Sequence, residues 1–219
     1  MARKFHTLSL AAIVTMAGAM TASATTIDFT DNGSYTFTPA AATGSTDGIG
    51  WTLDSNPSSS TLTNSEAYNG TTTPTTPLAL ENDGIGVIMK SEVDDEVTFP
   101  RESLTMTFDE EVGITGFYFL DLFGLETVTI YADGNLVTPL TVATTTTGAK
   151  DNSEGGYLYY AFDASVTTLT FVPGSKNDNR GKPDFALAGI DLAAVPVPAA
   201  GLLLLTALGG LGLARRRKA

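Results

Sequence analysis

The stretch SLTMTF, Ser103 to Phe108, sets Leu104, Met106 and Phe108 on one side of an extended chain and Ser103, Thr105 and Thr107 on the other. Successive side chains of a strand point to opposite faces, so this alternation buries one face of a sheet and wets the other. Working outward, similar short runs precede it (SYTFT, IGWTLD, GVIMK) and follow it (GITGFYFL, ETVTIYA, NLVTPLTV, YLYYAF, VTTLTFV, DFALAGIDL). Thr, Ser, Gly and Asn turns separate them, and no stretch of this body has a helical period. About ten strands with frequent turn signals predict an all-β fold, an antiparallel β-sandwich of jelly-roll type. Asp133-Gly134, lying between two of the runs, predicts a tight hairpin turn.

One segment breaks the pattern. From Asn56 to Pro77 the sequence NPSSSTLTNSEAYNGTTTPTTP is nearly all Ser, Thr, Asn and Pro. Such a composition buries too little apolar area to offset its ordering entropy, so residues 56–77 are expected to form a mobile surface loop.

Charge divides the chain further. The 219 residues carry a formal net charge of −12. All 24 Asp and Glu, however, fall between Asp28 and Asp191, and only six Lys and Arg share that stretch, which leaves it at −18. Nucleic-acid affinity comes mainly from Lys and Arg neutralising phosphates, so nucleic acid is excluded as a partner of so acidic a body.

The basic residues sit at the two ends. Arg3 and Lys4 precede an apolar run from Leu8 to Met20, followed by Ala22 and Ala24 in an A-x-A pattern. This reads as a secretory signal peptide over residues 1–24, with cleavage expected after Ala24. The body then spans 25–194 as a single domain. Export permits disulfides, yet the chain has no cysteine, so the fold must rest on its core. Removing the signal peptide also removes His6, the sole histidine. Ser-His-Asp and Cys-His catalysis, and metal sites built on imidazole or sulfur, are thereby excluded from the mature chain. Oxygen-ligand metal sites and paired-carboxylate chemistry survive.

At the other end VPVPAAGLLLLTALGGLGLARRRKA, residues 195–219, contains Pro196 and Pro198, an uncharged span, and the basic cluster Arg215, Arg216, Arg217 and Lys218. As a transmembrane helix the span from Ala199 to Ala214 is roughly 24 Å long, barely enough for a bilayer core. The basic cluster would stay cytoplasmic, leaving the body across the inner membrane. Motif, span and cluster in this order resemble the PEP-CTERM class of bacterial sorting segments. The likeness is to the VPLPA variant, with Val195, Pro196, Val197, Pro198 and Ala199 at the motif and Val197 in place of its usual Leu. The resemblance implies a membrane-embedded sorting protease of the exosortase type as partner, a transient stay in the inner membrane, and delivery to the cell surface or extracellular matrix of a Gram-negative bacterium. ENDGIGVIMKSEVDDEVTFPRESLTMTFDEEV and DFALAGIDL are similar to recurring motifs of the proteins so sorted, which implies the sandwich fold and no assigned chemistry.

Within the body, Glu81, Asp83, Asp95, Glu96 and Glu102 crowd one stretch. Calcium takes six to eight oxygen ligands and tolerates irregular loops, so these acids, completed by Asp191 or Asp184 of the last strand, are candidate calcium ligands. The competing reading is a solvated acidic edge that discourages strand-to-strand association. KNDNRG, Lys176 to Gly181, fails as a calcium loop because Lys176 occupies the first ligand position. Glu96 and Glu102 are the pair weighed for glycoside hydrolysis. Trp51, Tyr68, Tyr157, Tyr159 and Tyr160 are weighed as a sugar-stacking platform against ordinary core packing, and Tyr157 and Tyr159 share one face of an extended YLYYAF. The expectation is a non-enzymatic exported surface or matrix protein. A carbohydrate-binding module, calcium-assisted or not, is the first alternative and a polysaccharide-acting enzyme the second.

Overall fold

The alternating run that begins at Ser103 does not stop at Phe108. In the computed structural model it continues to Leu120 as one strand of 18 residues. The structure describes residues 24–58, 60–64, 76–88, 102–120, 127–141, 157–174 and 185–194. These form β1 (Thr25–Asp28), β2 (Thr36–Phe37), β3 (Ala41–Thr46), β4 (Ile49–Asn56), β5 (Thr61–Thr63), β6 (Gly86–Ile88), β7 (Ser103–Leu120), β8 (Thr127–Ala132), β9 (Asn135–Thr141), β10 (Leu158–Pro173) and β11 (Ala186–Leu192), with no helix among the described residues. The fold is all-β, and every strand pairing is antiparallel.

β7 and β10 are the two long strands, paired with each other from Leu104–Phe171 to Phe119–Leu158. On its other side β7 changes partner. Residues 103–108 pair with β4, and residues 114–120 pair with β11. Between Thr107 and Val112 it runs past a single residue of β10, Thr167, so that the exposed Asp109, Glu110 and Glu111 occupy an irregular corner. Two half-sheets therefore share the same pair of strands: β2-β3-β4-β7-β10-β8-β9 on one side of the corner, and β1-β11-β7-β10 on the other.

Bulges at the corner and just beyond it keep apolar residues on the inner face, because one extra residue reverses the alternation. In β7 the buried set passes from Ile114 to Phe117, and in β10 from Val166 to Leu169. One core cluster thus draws Trp51, Leu53 and Met106 from the first half-sheet and Phe117, Phe119 and Ile190 from the second. Aromatic rings meet there edge to face, Phe29 with Trp51 at 5.5 Å and Phe117 with Phe171 at 5.4 Å. A sheet bent around a core drawn from both of its halves is sandwich-like.

The hairpin expected at Asp133-Gly134 joins β8 to β9, with φ of 48° and 77°. Asp47-Gly48 joins β3 to β4 with the same signature, 54° and 86°. Two successive positive φ values match the right-handed twist of the flanking strands, and Asp and Gly tolerate them. Asp133 also caps the neighbouring strand, its Oδ1 accepting from the Thr167 N–H, the Thr168 N–H and the Thr167 hydroxyl.

The segment expected as a mobile loop is partly built into the sheet system. Thr61–Thr63 pairs with Gly86–Ile88 as a separate two-stranded sheet, and Leu62, the only aliphatic residue among 56–66, is buried in the main core. Residues 65–75 lie outside the described residues.

Gly84 fixes how the chain reaches β6. It sits at φ +108°, and a Cβ there would stand 2.4 Å from the Leu187 carbonyl oxygen, while the next residue, Ile85, exchanges backbone hydrogen bonds with Leu187. Gly84→Ala is expected to destabilise the protein by about 2–3 kcal/mol through strain and backbone overlap. Urea unfolding should show a lower midpoint at unchanged slope; a change under about 0.5 kcal/mol would refute this role.

Candidate functional site: a tyrosine and carboxylate face

Beyond the corner β7 is buried on both sides. Phe117 and Phe119 face the main core, while Tyr118 and Leu120 point the other way and join Leu78, Ala186 and Ala188 in a second cluster, with Leu80 and Tyr157 packed against it. Leu78 and Leu80 are held over this face by Asp28. Its Oδ1 accepts from the Thr30 N–H at 2.8 Å and the Thr30 hydroxyl at 2.6 Å, and its Oδ2 accepts from the Ala79 N–H at 2.7 Å. The Leu80 N–H in turn donates to Thr30 Oγ1 at 2.8 Å. One carboxylate thus ties the exit of β1 to residues 79–80 through charge-assisted bonds.

Tyr159 of β10 lies opposite Tyr118 of β7 in the strand register, and the two ring centroids are 4.8 Å apart. Tyr157 lies 6.4 Å from Tyr118 on the same face. The Tyr159 ring crosses β7 at Gly116, where a Cβ would meet its atoms at 2.3–2.5 Å, so only glycine lets the ring lie against the backbone. Its hydroxyl donates to the Thr115 carbonyl at 3.4 Å. Gly116 is itself paired with Asp191 of β11. The Asp191 carboxylate receives the Thr26 hydroxyl on Oδ1 at 2.5 Å and the Tyr118 hydroxyl on Oδ2 at 2.9 Å. Three neighbouring strands, with β1 beside them, place aromatic rings, hydroxyls and one carboxylate on a single outer face.

Burial pushes the Tyr118 hydroxyl well above the ordinary tyrosine range, and its hydrogen bond to Asp191 and that group's negative charge act in the same direction. Tyr159 is raised too, by burial first and then by the Asp191 charge. Tyr157 is raised by burial, against an opposing hydrogen bond with Thr76.

The described members of the acidic stretch, Glu81, Asp83 and Glu102, stand in different settings. Glu81 is exposed, and its Oε2 accepts weakly from the Asn32 N–H at 3.4 Å. Asp83 and Glu102 are buried, and Asp191 holds the hydroxyls just described. Among the described residues no three Asp or Glu side chains come together as a metal-holding group. Asp95 and Glu96 lie outside the described residues, as do Asp184, Tyr68, the motif at 195–199 and the basic cluster at 215–218. Of the weighed aromatics, Trp51 is a core residue, 4 % exposed with its ring over Gly44, and Tyr160 packs against the main core.

Sequence reasoning found Tyr157 and Tyr159 by their alternation and missed Tyr118, Gly116 and Thr26. GITGFYFL contains the signal, a glycine two residues before a tyrosine, but only the register across the bulges sets it beside Tyr159. Among the described residues no helix is long and apolar enough to cross a membrane. Comparison with known proteins brings no match to a family model, a curated protein or a solved structure.

A raised folded-state pKa means that neutral Tyr118 contributes stability fully below the unfolded tyrosine value of about 10, and that this contribution is lost as pH climbs through the folded value. Ultraviolet titration should show Tyr118 ionising later than free tyrosine. Stability measured above pH ~10 should fall more steeply in the wild type than in Tyr118→Phe. Ionisation of Tyr118 at the ordinary value would contradict the geometry.

Proposed function

We propose that the chain is a non-enzymatic exported protein of the cell surface or extracellular matrix: a jelly-roll-like sandwich carried between a cleaved signal peptide and a C-terminal transmembrane sorting helix. The observation that supports this reading is the pairing of β1 with β11. Thr25, the residue expected to become the new N-terminus, lies opposite Leu192, three residues before Val195. The Ala193 N–H still bonds to the Gly113 carbonyl at 2.8 Å, so the chain stays on the sheet to the end of the body. Both expected processing points thus flank one end of one strand pair. Such an arrangement suits a body tethered to a single membrane at both its ends, and cutting at the two points would remove both tethers without interrupting a strand. An exosortase-type protease is the partner at the C-terminal cut.

Mass spectrometry of the protein recovered outside the cell is expected to show an N-terminus at Thr25 and loss of the residues beyond 195–199. An intact basic cluster in surface-located protein would refute the sorting reading.

A further inference from the structure

We infer that the face formed by Tyr159, Tyr118 and Asp191 is a binding site for a neutral glycan chain, a ligand that export alone does not specify. Among the described residues the exposed large hydrophobic side chains are Leu136 and Tyr159, and only Tyr159 is aromatic. The residue is 39 % exposed although its ring is braced against Gly116 and lies 4.8 Å from that of Tyr118. A ring fixed against the backbone presents its outer face to solvent with little rotamer entropy left to lose, which lowers the cost of binding. A flat apolar plate of this size matches the C–H face of a pyranose, whose hydroxyls then project sideways.

Polar groups stand where those hydroxyls would reach. Asp191 lies across β7 from Tyr159; its oxygens accept from the Thr26 and Tyr118 hydroxyls, and the Tyr159 hydroxyl interacts with it as well. A carboxylate accepts about four, so Asp191 retains capacity for a sugar hydroxyl. The Tyr159 and Tyr118 hydroxyls remain acceptors as well, and as tyrosines they are protonated below pH ~10. Tyr157, half-buried beside Tyr118, lengthens the aromatic strip along the strand.

Charge selects the class of polymer. The described residues contain no Lys or Arg, and the stretch from Asp28 to Asp191 sums to −18. Uronic-acid polysaccharides, nucleic acids and anionic lipid surfaces are repelled by that field, whereas a neutral glycan meets no such barrier. Among the described residues the carboxylate of this site is that of Asp191, which hydroxyls hold.

The experiment titrates cellohexaose, maltohexaose and, as the anionic control, hexagalacturonate into the full chain, read by NMR of the tyrosine rings and by calorimetry. The expected result is binding of one neutral hexasaccharide with a Kd on the order of 1 mM, weakened about tenfold in Tyr159→Ala and unchanged in Leu136→Ala, which removes the other exposed apolar side chain. In the wild type the shifts should centre on Tyr159 and Tyr118, a readout that does not depend on how the variants fold. Absence of binding by both neutral hexasaccharides at about 10 mM, shifts centred elsewhere, retention of affinity in Tyr159→Ala, or preference for hexagalacturonate would each overturn the assignment. The sorting reading is untouched by any of these results, since its own test is the position of the cuts.

Discussion

The pairing of β7 with β10 is the constraint on which the rest depends. These strands are long enough to serve both half-sheets, and the irregular corner between Thr107 and Val112 lets them turn while keeping one face inward. A core assembled from two halves that share their central strands is cooperative by construction, because neither half retains a closed apolar surface without the other. Having no cysteine, the chain places this demand entirely on packing. The edges are then managed separately: β2 is only two residues long, and β9 carries Pro139, which cannot donate to a further strand.

The sequence shows the main features of this plan where the physics is local. SLTMTF announces its face because one side is buried and the other wet, and Asp133-Gly134 announces its turn through backbone geometry. Asp47-Gly48 is the same signal and goes unremarked only because its flanking strand, β3, buries a single residue, Ala42. Likewise β1, TTID, is too short and polar to stand out. GITGFYFL and SLTMTF read as two strands because three acids separate them, yet β7 runs on through Asp109, Glu110 and Glu111, paired before them with β4 and β10 and after them with β10 and β11. β5 hides inside a Ser/Thr-rich run for the opposite reason. One leucine is enough to dock it, and composition averaged over 22 positions dilutes one leucine to nothing.

The tyrosine face is half legible for a related reason. Alternation within β10 is a property of that strand, so Tyr157 and Tyr159 can be placed together. Tyr118, Gly116 and Asp191 join them through register, and register here follows bulges that no local pattern announces. In the acidic stretch, nearness in sequence does not mean a shared environment: Asp83 is buried and Glu81 exposed, two residues apart.

The pairing of Thr25 with Leu192 also has a mechanical meaning. If the body is pulled by both ends at once, the load enters at the same end of an antiparallel pair and breaks its hydrogen bonds one after another, like a zipper. Strand β1 would peel away first, and with it the Asp28 link that holds Leu78 and Leu80 over the tyrosine face. Load applied at only one end passes no force through this strand pair, so a pairing that unzips when both ends are pulled is insulated when only one of them is held.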